Sequence, residues 1–153
     1  MVKNVRHTGI VVSDMDKGLR FYRDLLGLKK VVFDGEVEGD FQEKVTGLSG
    51  AHMRIVMLQA DDGNRIELLQ YLSHPREPRD MVASCDVGCS HVAFTVGDLD
   101  ALCDQLTAEG LAINHAPQVD GAGYAKVVYA HDFDGSIVEL VEIIDPDRTI
   151  YAD

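Results

Sequence analysis

Basic residues are scarce in this chain. Lysine and arginine total 14, against 26 aspartates and glutamates, so the formal net charge is −12 at pH 7 with histidine neutral. Proteins that bind nucleic acid or anionic membrane surfaces need an excess of lysine and arginine to neutralise phosphates. The composition therefore argues against both kinds of partner, whereas a small anionic substrate needs only a local basic group.

Long apolar runs and paired cysteines are also lacking. No apolar run approaches the length of a membrane span. We expect no signal peptide, because the first strand pattern begins within a few residues of Met1. The three cysteines, Cys85, Cys89 and Cys103, are an odd number without C-x-x-C spacing, which favours free thiols over disulfides or a zinc knuckle. These features predict a cytoplasmic protein.

Repetition is the main feature that the sequence does have. The stretch HTGIVVSDMD, which starts at His7, returns as HVAFTVGDLD at His91, a spacing of 84 residues. The stretch around Glu67, DGNRIELL, returns around Glu139 as DGSIVELV, a spacing of 72 residues. The chain is therefore a tandem repeat with shorter internal loops in its second copy, and each copy opens on a histidine strand and closes on a glutamate strand.

Hydrophobic periodicity predicts the order β-α-β-β-β in each copy. The expected strands of the first copy are residues 5–12, 28–34, 52–59 and 65–71, with a helix that starts at an N-cap, Ser13 or Asp14, and ends at Gly27. The acidic stretch 35–42 predicts a loop, either a lid or a solvated segment. In the second copy we expect strands 89–96, 111–115, 125–130 and 137–143, and a helix from the N-cap Asp98 to Gly110.

The predicted fold class is α+β, in one domain that spans residues 1–153. Its parts are a first module at about 5–72, a linker at about 73–87 with two prolines, a second module at about 88–144 and a C-terminal tail at 145–153.

The chemistry of the repeated residues points to a metal. A glutamate in a strand of isoleucine, leucine and valine is out of place unless it is paired or ligated, and Glu67 and Glu139 both have this setting. A lone strand histidine is more commonly packed, and a lone strand glutamate is more commonly solvated. Repeated in register, His7, Glu67, His91 and Glu139 predict a site for one divalent ion, Zn, Ni, Co, Mn or Fe, with positions left for water or a chelating substrate.

The motifs cover nearly the whole chain: His7, FYRDLLGL (21–28), IELL (66–69), GCSHVAF (88–94) and DFDGSIVELVE (132–142). In this plan the chain resembles the vicinal oxygen chelate superfamily, which includes glyoxalase I, methylmalonyl-CoA epimerase, extradiol dioxygenases, and fosfomycin-resistance and bleomycin-binding proteins. The resemblance implies two cupped mixed sheets around a central metal cavity. It also implies His7, Glu67, His91 and Glu139 as ligands, and a homodimer.

The chain departs from each subfamily pattern. Val11 stands where glyoxalase I-like proteins have an arginine for glutathione, and residues 46–50 lack their Asn-Pro-Glu segment. Residues 52–58 lack the extra glutamate of the epimerase-like proteins. Extradiol dioxygenases use two histidines and one glutamate, so the fourth candidate ligand, Glu67, argues against that class.

The function expected from these features is a metal-dependent lyase or isomerase, glyoxalase- or epimerase-like, that transfers a proton next to the polarised carbonyl of a small molecule. Glu139 or Glu67 would be the catalytic base, and the sequence does not choose between them. The alternatives are an Fe(II) extradiol-type dioxygenase and a non-catalytic small-molecule binding or resistance protein. The candidate substrate contacts are Arg54, Tyr71, Tyr129 and His131.

Overall fold

A computed structural model describes residues 1–78 and 83–148 of the chain. The chain divides into two compact units, Met1–Pro78 and Arg79–Asp153. The predicted linker and the predicted C-terminal tail lie partly outside the described residues, at 79–82 and 149–153. The single-domain assignment stays a prediction.

The first unit is a four-stranded mixed sheet with helices. Its elements are β1 (Thr8–Val11), α1 (Met15–Leu19), a π-helical segment (Arg20–Leu25), β2 (Lys30–Glu38), α2 (Asp40–Thr46), β3 (His52–Gln59) and β4 (Arg65–Tyr71). The strand order is β1-β4-β3-β2. The first and last strands, β1 and β4, are parallel neighbours, and the other pairs are antiparallel.

The second unit repeats this topology. Its elements are β5 (Val92–Thr95), α3 (Leu99–Ala108), β6 (Gln118–Val119), β7 (Ala125–His131), β8 (Ile137–Ile143) and a 3-10 turn (Pro146–Arg148). The strand order is β5-β8-β7-β6, again with the first and last strands parallel. The α+β class and the two β-α-β-β-β modules with mixed sheets are confirmed. The cupping of the sheets around a central metal cavity stays a prediction.

The two sheets also repeat in register. Gly9 lies opposite Glu67 between β1 and β4, and Ala93 lies opposite Glu139 between β5 and β8. The internal repeat in the sequence is therefore a repeat of individual strand pairings.

One face of each sheet is covered by helix. Leu68 in β4 and its counterpart Leu140 in β8 are fully buried. Any side chain at Gly18 in α1 would lie 3.1 Å from Val12 and 3.5 Å from Leu68, so this helix packs closely on β4. Because side chains alternate along a strand, Glu67 and Glu139 lie on the other face of their sheets.

The helix starts are built alike, as the N-cap predictions require. The carboxylate of Asp14 accepts hydrogen bonds from the N–H groups of Asp16 and Lys17, and that of Asp98 accepts one from Ala101. The helical regions end before Gly27 and Gly110, whose positive φ angles of 86° and 78° favour glycine.

The first helical region is one residue longer than the second. Met15 to Gly27 contains one residue more than Leu99 to Gly110. The π-helical segment Arg20–Leu25 provides the wider turn that accommodates this extra residue.

Two predicted segments are wrong. Residues 35–42 were expected to form a loop, but they complete β2 and begin α2. Cross-strand pairs from β3 hold this acidic strand: Arg54 with Asp34 at 2.9 Å and His52 with Glu36 at 2.8 Å. The short strand expected at residues 111–115 is reduced to an isolated bridge from Ile113 to Ala130, and β6 lies later in the chain.

Within residues 1–78 and 83–148, no helix is long and apolar enough to cross a membrane. The three cysteines are free thiols, as expected, with Cys85 exposed and Cys103 buried.

Candidate functional site

Each unit brings one predicted histidine together with one predicted glutamate. His7 Nε2 lies 3.2 Å from Glu67 Oε2 in the first unit. His91 Nε2 lies 3.1 Å from Glu139 Oε2 in the second. We call these the first His–Glu pair and the second His–Glu pair.

The parallel pairing of the first and last strands produces both pairs. Each histidine immediately precedes the first strand of its unit, and each glutamate lies in the middle of the last strand. Gly9 is two residues after His7 and lies opposite Glu67, so alternation brings the imidazole and the carboxylate to the same face. Ala93 has the same relation to His91 and Glu139.

The two members of each pair lie in direct polar contact, at 3.2 Å in the first pair and 3.1 Å in the second. This is the spacing of an ordinary histidine–carboxylate contact, so the case for a cation rests on the donor types. Imidazole nitrogen and carboxylate oxygen are the donors that borderline divalent metals bind. The side chains of both pairs are 19–40% exposed, which leaves them open to an incoming ion.

Over the described ranges 1–78 and 83–148, no group of three or more histidine, cysteine, aspartate or glutamate side chains is placed to hold a metal ion. The structure thus forms two-residue pairs, and binding of one ion by all four residues stays a prediction.

Tyr129, a predicted substrate contact, lies beside the second His–Glu pair. It is the cross-strand neighbour of Glu139, and its ring centroid is 5.0 Å from that of His91 at an interplanar angle of 41°. Burial, and then the negative charge of Glu139, raise the pKa of Tyr129. The counterpart of Tyr129 in the first unit is Met57, the cross-strand neighbour of Glu67.

Tyr71 lies on the same face of β4 as Glu67, four residues along the strand, and is opposite Met53 in β3. It is half-buried at the end of the strand. It therefore belongs to the face that carries the first His–Glu pair.

Arg54 is not brought to the first His–Glu pair. It is opposite Gln70, on the helix-covered side of the sheet, and makes a two-pronged ion pair with Asp34 at 3.0 and 2.9 Å. These hydrogen bonds lower the pKa of Asp34 and raise that of Arg54. Arg54 thus stabilises the β2–β3 pairing.

His131 is buried, with 3% of its surface exposed. Its Nε2 lies 2.8 Å from Asn114 Oδ1, and its Nδ1 lies 3.2 Å from the carbonyl oxygen of Gly135. Both ring nitrogens are therefore engaged in holding the 113–114 segment and the β7–β8 turn.

Reasoning from the sequence missed two neighbours of Glu67, namely Gly9 and Met57. A β-carbon at Gly9 would lie only 3.7 Å from the carboxylate oxygen of Glu67. Aligning the two copies by their spacings of 84 and 72 residues would have found both positions, as the counterparts of Ala93 and Tyr129.

Comparison with known proteins identifies a family and relatives that are similar to this chain. The family described as the glyoxalase/bleomycin resistance protein/dioxygenase superfamily matches residues 6–129. The chain is 27% identical over 146 residues to a 2-epi-5-epi-valiolone epimerase from Actinomyces sp., covering 91% of this chain and 79% of that protein. It is 26% identical over 136 residues to a probable lactoylglutathione lyase from Synechocystis sp., covering 89% and 92%.

The crystal structure of a glyoxalase family protein from Bacillus cereus is similar to this chain with a TM-score of 0.83 and 27% identity, covering 95% of this chain and 97% of that one. The fold, the repeated strand register and the matched family define a glyoxalase-fold protein. The chain belongs to the glyoxalase/bleomycin resistance protein/dioxygenase superfamily.

Proposed function

We propose that this protein is a metal-dependent lyase or isomerase that transfers a proton at the carbon next to a carbonyl group of a small molecule. The observation that carries the proposal is the His–Glu pair at nearly the same separation in both units, 3.2 and 3.1 Å. The names of the Actinomyces and Synechocystis relatives, an epimerase and a probable lyase, support an enzyme of this kind.

We propose that His7, Glu67, His91 and Glu139 together hold one divalent cation, one of Zn, Ni, Co, Mn or Fe. When bound, such a cation supplies Lewis acidity that polarises a carbonyl group. The donor set supports this assignment, because two neutral imidazoles and two carboxylates balance the charge of a divalent ion.

The carboxylates have the catalytic role in this proposal. Glu67 or Glu139 takes the proton from the carbon next to the carbonyl and returns it to the product carbon. The imidazole of each pair lies beside this carboxylate, so both donors face the same side of their sheet. Tyr71 and Tyr129, on the faces that carry the pairs, are the proposed substrate contacts; the ion pair of Arg54 and the buried bonds of His131 favour structural roles for those two residues.

We further propose a homodimer, as is usual in the family, and a cytoplasmic location, which the free thiols support. Sedimentation equilibrium tests the dimer.

The decisive experiment is solvent-deuterium exchange at the substrate carbon, with 2-oxoaldehydes and epimerisable acyl-CoA compounds as the screened substrates. Glu67→Gln and Glu139→Gln should each abolish exchange, because the amide does not accept the proton and is a weaker ligand. The matched control is Glu142→Gln, which gives β8 the residue that β4 already has at the corresponding position, Gln70. Exchange retained in both Glu67→Gln and Glu139→Gln would contradict the proposal.

Elemental analysis of the protein from metal-supplemented cells separates the remaining classes. About one Zn, Ni, Co or Mn per chain supports proton transfer. Iron at that level, with oxygen uptake on catechols, would move the assignment to an extradiol-type dioxygenase. A protein that takes up no metal on titration would be a binding protein.

A further inference from the structure

The two His–Glu pairs differ in their immediate surroundings. Tyr129 is the cross-strand neighbour of Glu139, and its ring lies against the imidazole of His91, at 5.0 Å between centroids. In the first unit the cross-strand neighbour of Glu67 is Met57, and no aromatic contact to His7 is formed among residues 1–78 and 83–148.

A second difference lies on the opposite neighbouring strand. The residue opposite Glu139 is Ala93, whereas the residue opposite Glu67 is Gly9. A β-carbon at Gly9 would make ordinary van der Waals contacts with Leu69 at 3.4 Å and with the Glu67 carboxylate at 3.7 Å, contacts that glycine does not make. The second pair thus has Tyr129 and Ala93 as neighbours. The first pair has Met57 and Gly9 at the corresponding positions.

These neighbours act differently on a ligand side chain. An aromatic ring is rigid and packs against an imidazole in few orientations. A methionine side chain has three rotatable bonds and adapts to whatever lies beside it. Groups that hydrogen-bond to a metal-binding histidine fix its orientation, and their loss typically weakens metal binding by roughly 10- to 100-fold. A ring that only packs against the imidazole acts in the same direction with a smaller effect.

We propose that Tyr129 is a positioning residue that fixes the imidazole of His91, which makes the second His–Glu pair the preorganised half of the metal site. The second pair captures the divalent cation more tightly than the first, whose looser surroundings let Glu67 and His7 adjust afterwards. This inference rests on the proposed function, which supplies the metal. It adds that the second His–Glu pair binds the cation before the first, and that Tyr129 is the residue responsible.

The first test measures Zn²⁺ affinity by competition with a chelating dye in four full-length proteins: wild type, Tyr129→Phe, Tyr129→Met and Met57→Leu. Tyr129→Phe keeps the ring and should bind Zn²⁺ within about twofold of wild type. Tyr129→Met should weaken binding by roughly three- to tenfold, less than the loss of a hydrogen-bonding partner. Met57→Leu is the matched control at the corresponding position and should change nothing. Circular dichroism checks folding, and methionine is the residue that the first unit already accommodates there.

Single-pair proteins test the order of capture. His7→Ala combined with Glu67→Ala leaves the second pair alone, and His91→Ala combined with Glu139→Ala leaves the first pair alone. With Co²⁺ as a paramagnetic probe followed by NMR, the second pair alone should broaden its histidine signals at a Co²⁺ concentration several-fold lower than the first. Equal concentrations would overturn the claim.

An NMR measurement without metal tests positioning separately. The ring-current field of Tyr129 should displace the imidazole signals of His91 in wild type and Tyr129→Phe, and Tyr129→Met should return them to ordinary positions while His7 stays unchanged. His91 signals and Zn²⁺ affinities that are equal in all four proteins, when the wild type exchanges the substrate proton normally, would overturn this inference alone. A wild type that binds no Zn²⁺ would overturn both the proposed function and the metal-capture part of the inference.

Discussion

The two units of this protein have the same strand register but different side chains at corresponding places. Leu68 and Leu140 are both fully buried, and the His–Glu separations agree to within 0.1 Å, at 3.2 and 3.1 Å. The residues that support these features differ. The comparison teaches that backbone pairing sets the position of each His–Glu pair, whereas the side chains beside the pair are free to diverge between copies.

The first turns of α1 and α3 also have the same backbone arrangement but different side-chain partners. The N–H of Met15, the first residue of α1, donates to Gln70 Oε1 at 3.2 Å, and the N–H of Leu99, the first residue of α3, donates to Glu142 Oε2 at 2.9 Å. Glu142 Oε2 also lies 3.3 Å from Lys126 Nζ. The first unit thus anchors its helix to β4 through the side-chain amide of Gln70, and the second unit anchors its helix to β8 through the carboxylate of Glu142.

The largest expected effect comes from removing one of the proposed histidine ligands. His7→Ala and His91→Ala should each lower proton-exchange activity by at least about 100-fold, since removing a direct ligand exceeds the usual loss from removing a group behind one. Initial rates at saturating metal measure this. His115→Ala, at an exposed position, is the control, and a fully active His7→Ala protein would show that the first pair is not part of the site.

Core substitutions compare the stability of the two units. Leu68→Ala and Leu140→Ala should each lower the free energy of unfolding by about 2–5 kcal/mol, because each removes a fully buried side chain and leaves a cavity. Urea unfolding followed by circular dichroism measures both. Val119→Ala, where the valine is 53% exposed, should cost less than about 0.5 kcal/mol. If the units unfold independently, each substitution shifts a separate transition; a single shared transition would show that they unfold together.

The helix caps should differ in strength. Asp14 accepts two N–H hydrogen bonds and Asp98 accepts one. Asp14→Ala should therefore destabilise by about 1–2 kcal/mol, and Asp98→Ala by about 0.5–1 kcal/mol. The same urea titrations measure the difference. Asparagine at either position keeps an acceptor oxygen and should be close to wild type, and a larger loss at Asp98 would reverse the expected order.

The smallest effect concerns one ion pair in the first unit. Hydrogen bonds from Arg23 lower the pKa of Asp24 to about 2, whereas α3 of the second unit contains no basic residue. The folded pKa is below the usual value of about 3.9, so the stabilisation is complete above about pH 4 and is lost as pH falls through about 2. Carboxyl NMR titration measures this, and Arg23→Met should move the midpoint up toward the usual value. An unchanged midpoint would show that Arg23 is not the cause.

Local patterns in the sequence were sufficient for much of the fold. Strands β3, β4 and β8 have the predicted bounds, because each is a compact apolar run next to clear turn residues. The repeat also identified His7, Glu67, His91 and Glu139 as related residues, but it did not predict that parallel pairing of the first and last strands places each histidine beside the glutamate of its own unit.

The remainder depended on contacts distant in sequence. The acidic end of β2 pairs with β3, where Arg54 and His52 contact its carboxylates, and no local pattern in residues 35–38 contains that information. Arg54 has Asp34 as its partner in this pairing, and the position of Arg54 in a predicted strand did not indicate that partner. The π-helical segment follows from one extra residue, which becomes visible only when the two helices are compared.

The parallel pairing of β1 with β4 has a consequence for how the protein matures. His7 and Glu67 are near opposite ends of their unit in sequence, so the first His–Glu pair forms only when the ribosome has released the whole module and its outermost strands have met. The same is true of His91 and Glu139. Such distant pairing is slow relative to local helix formation, so each pair is completed late. Under the proposed function, a metal ion would therefore find a complete His–Glu pair only in a module that has been fully synthesised and folded.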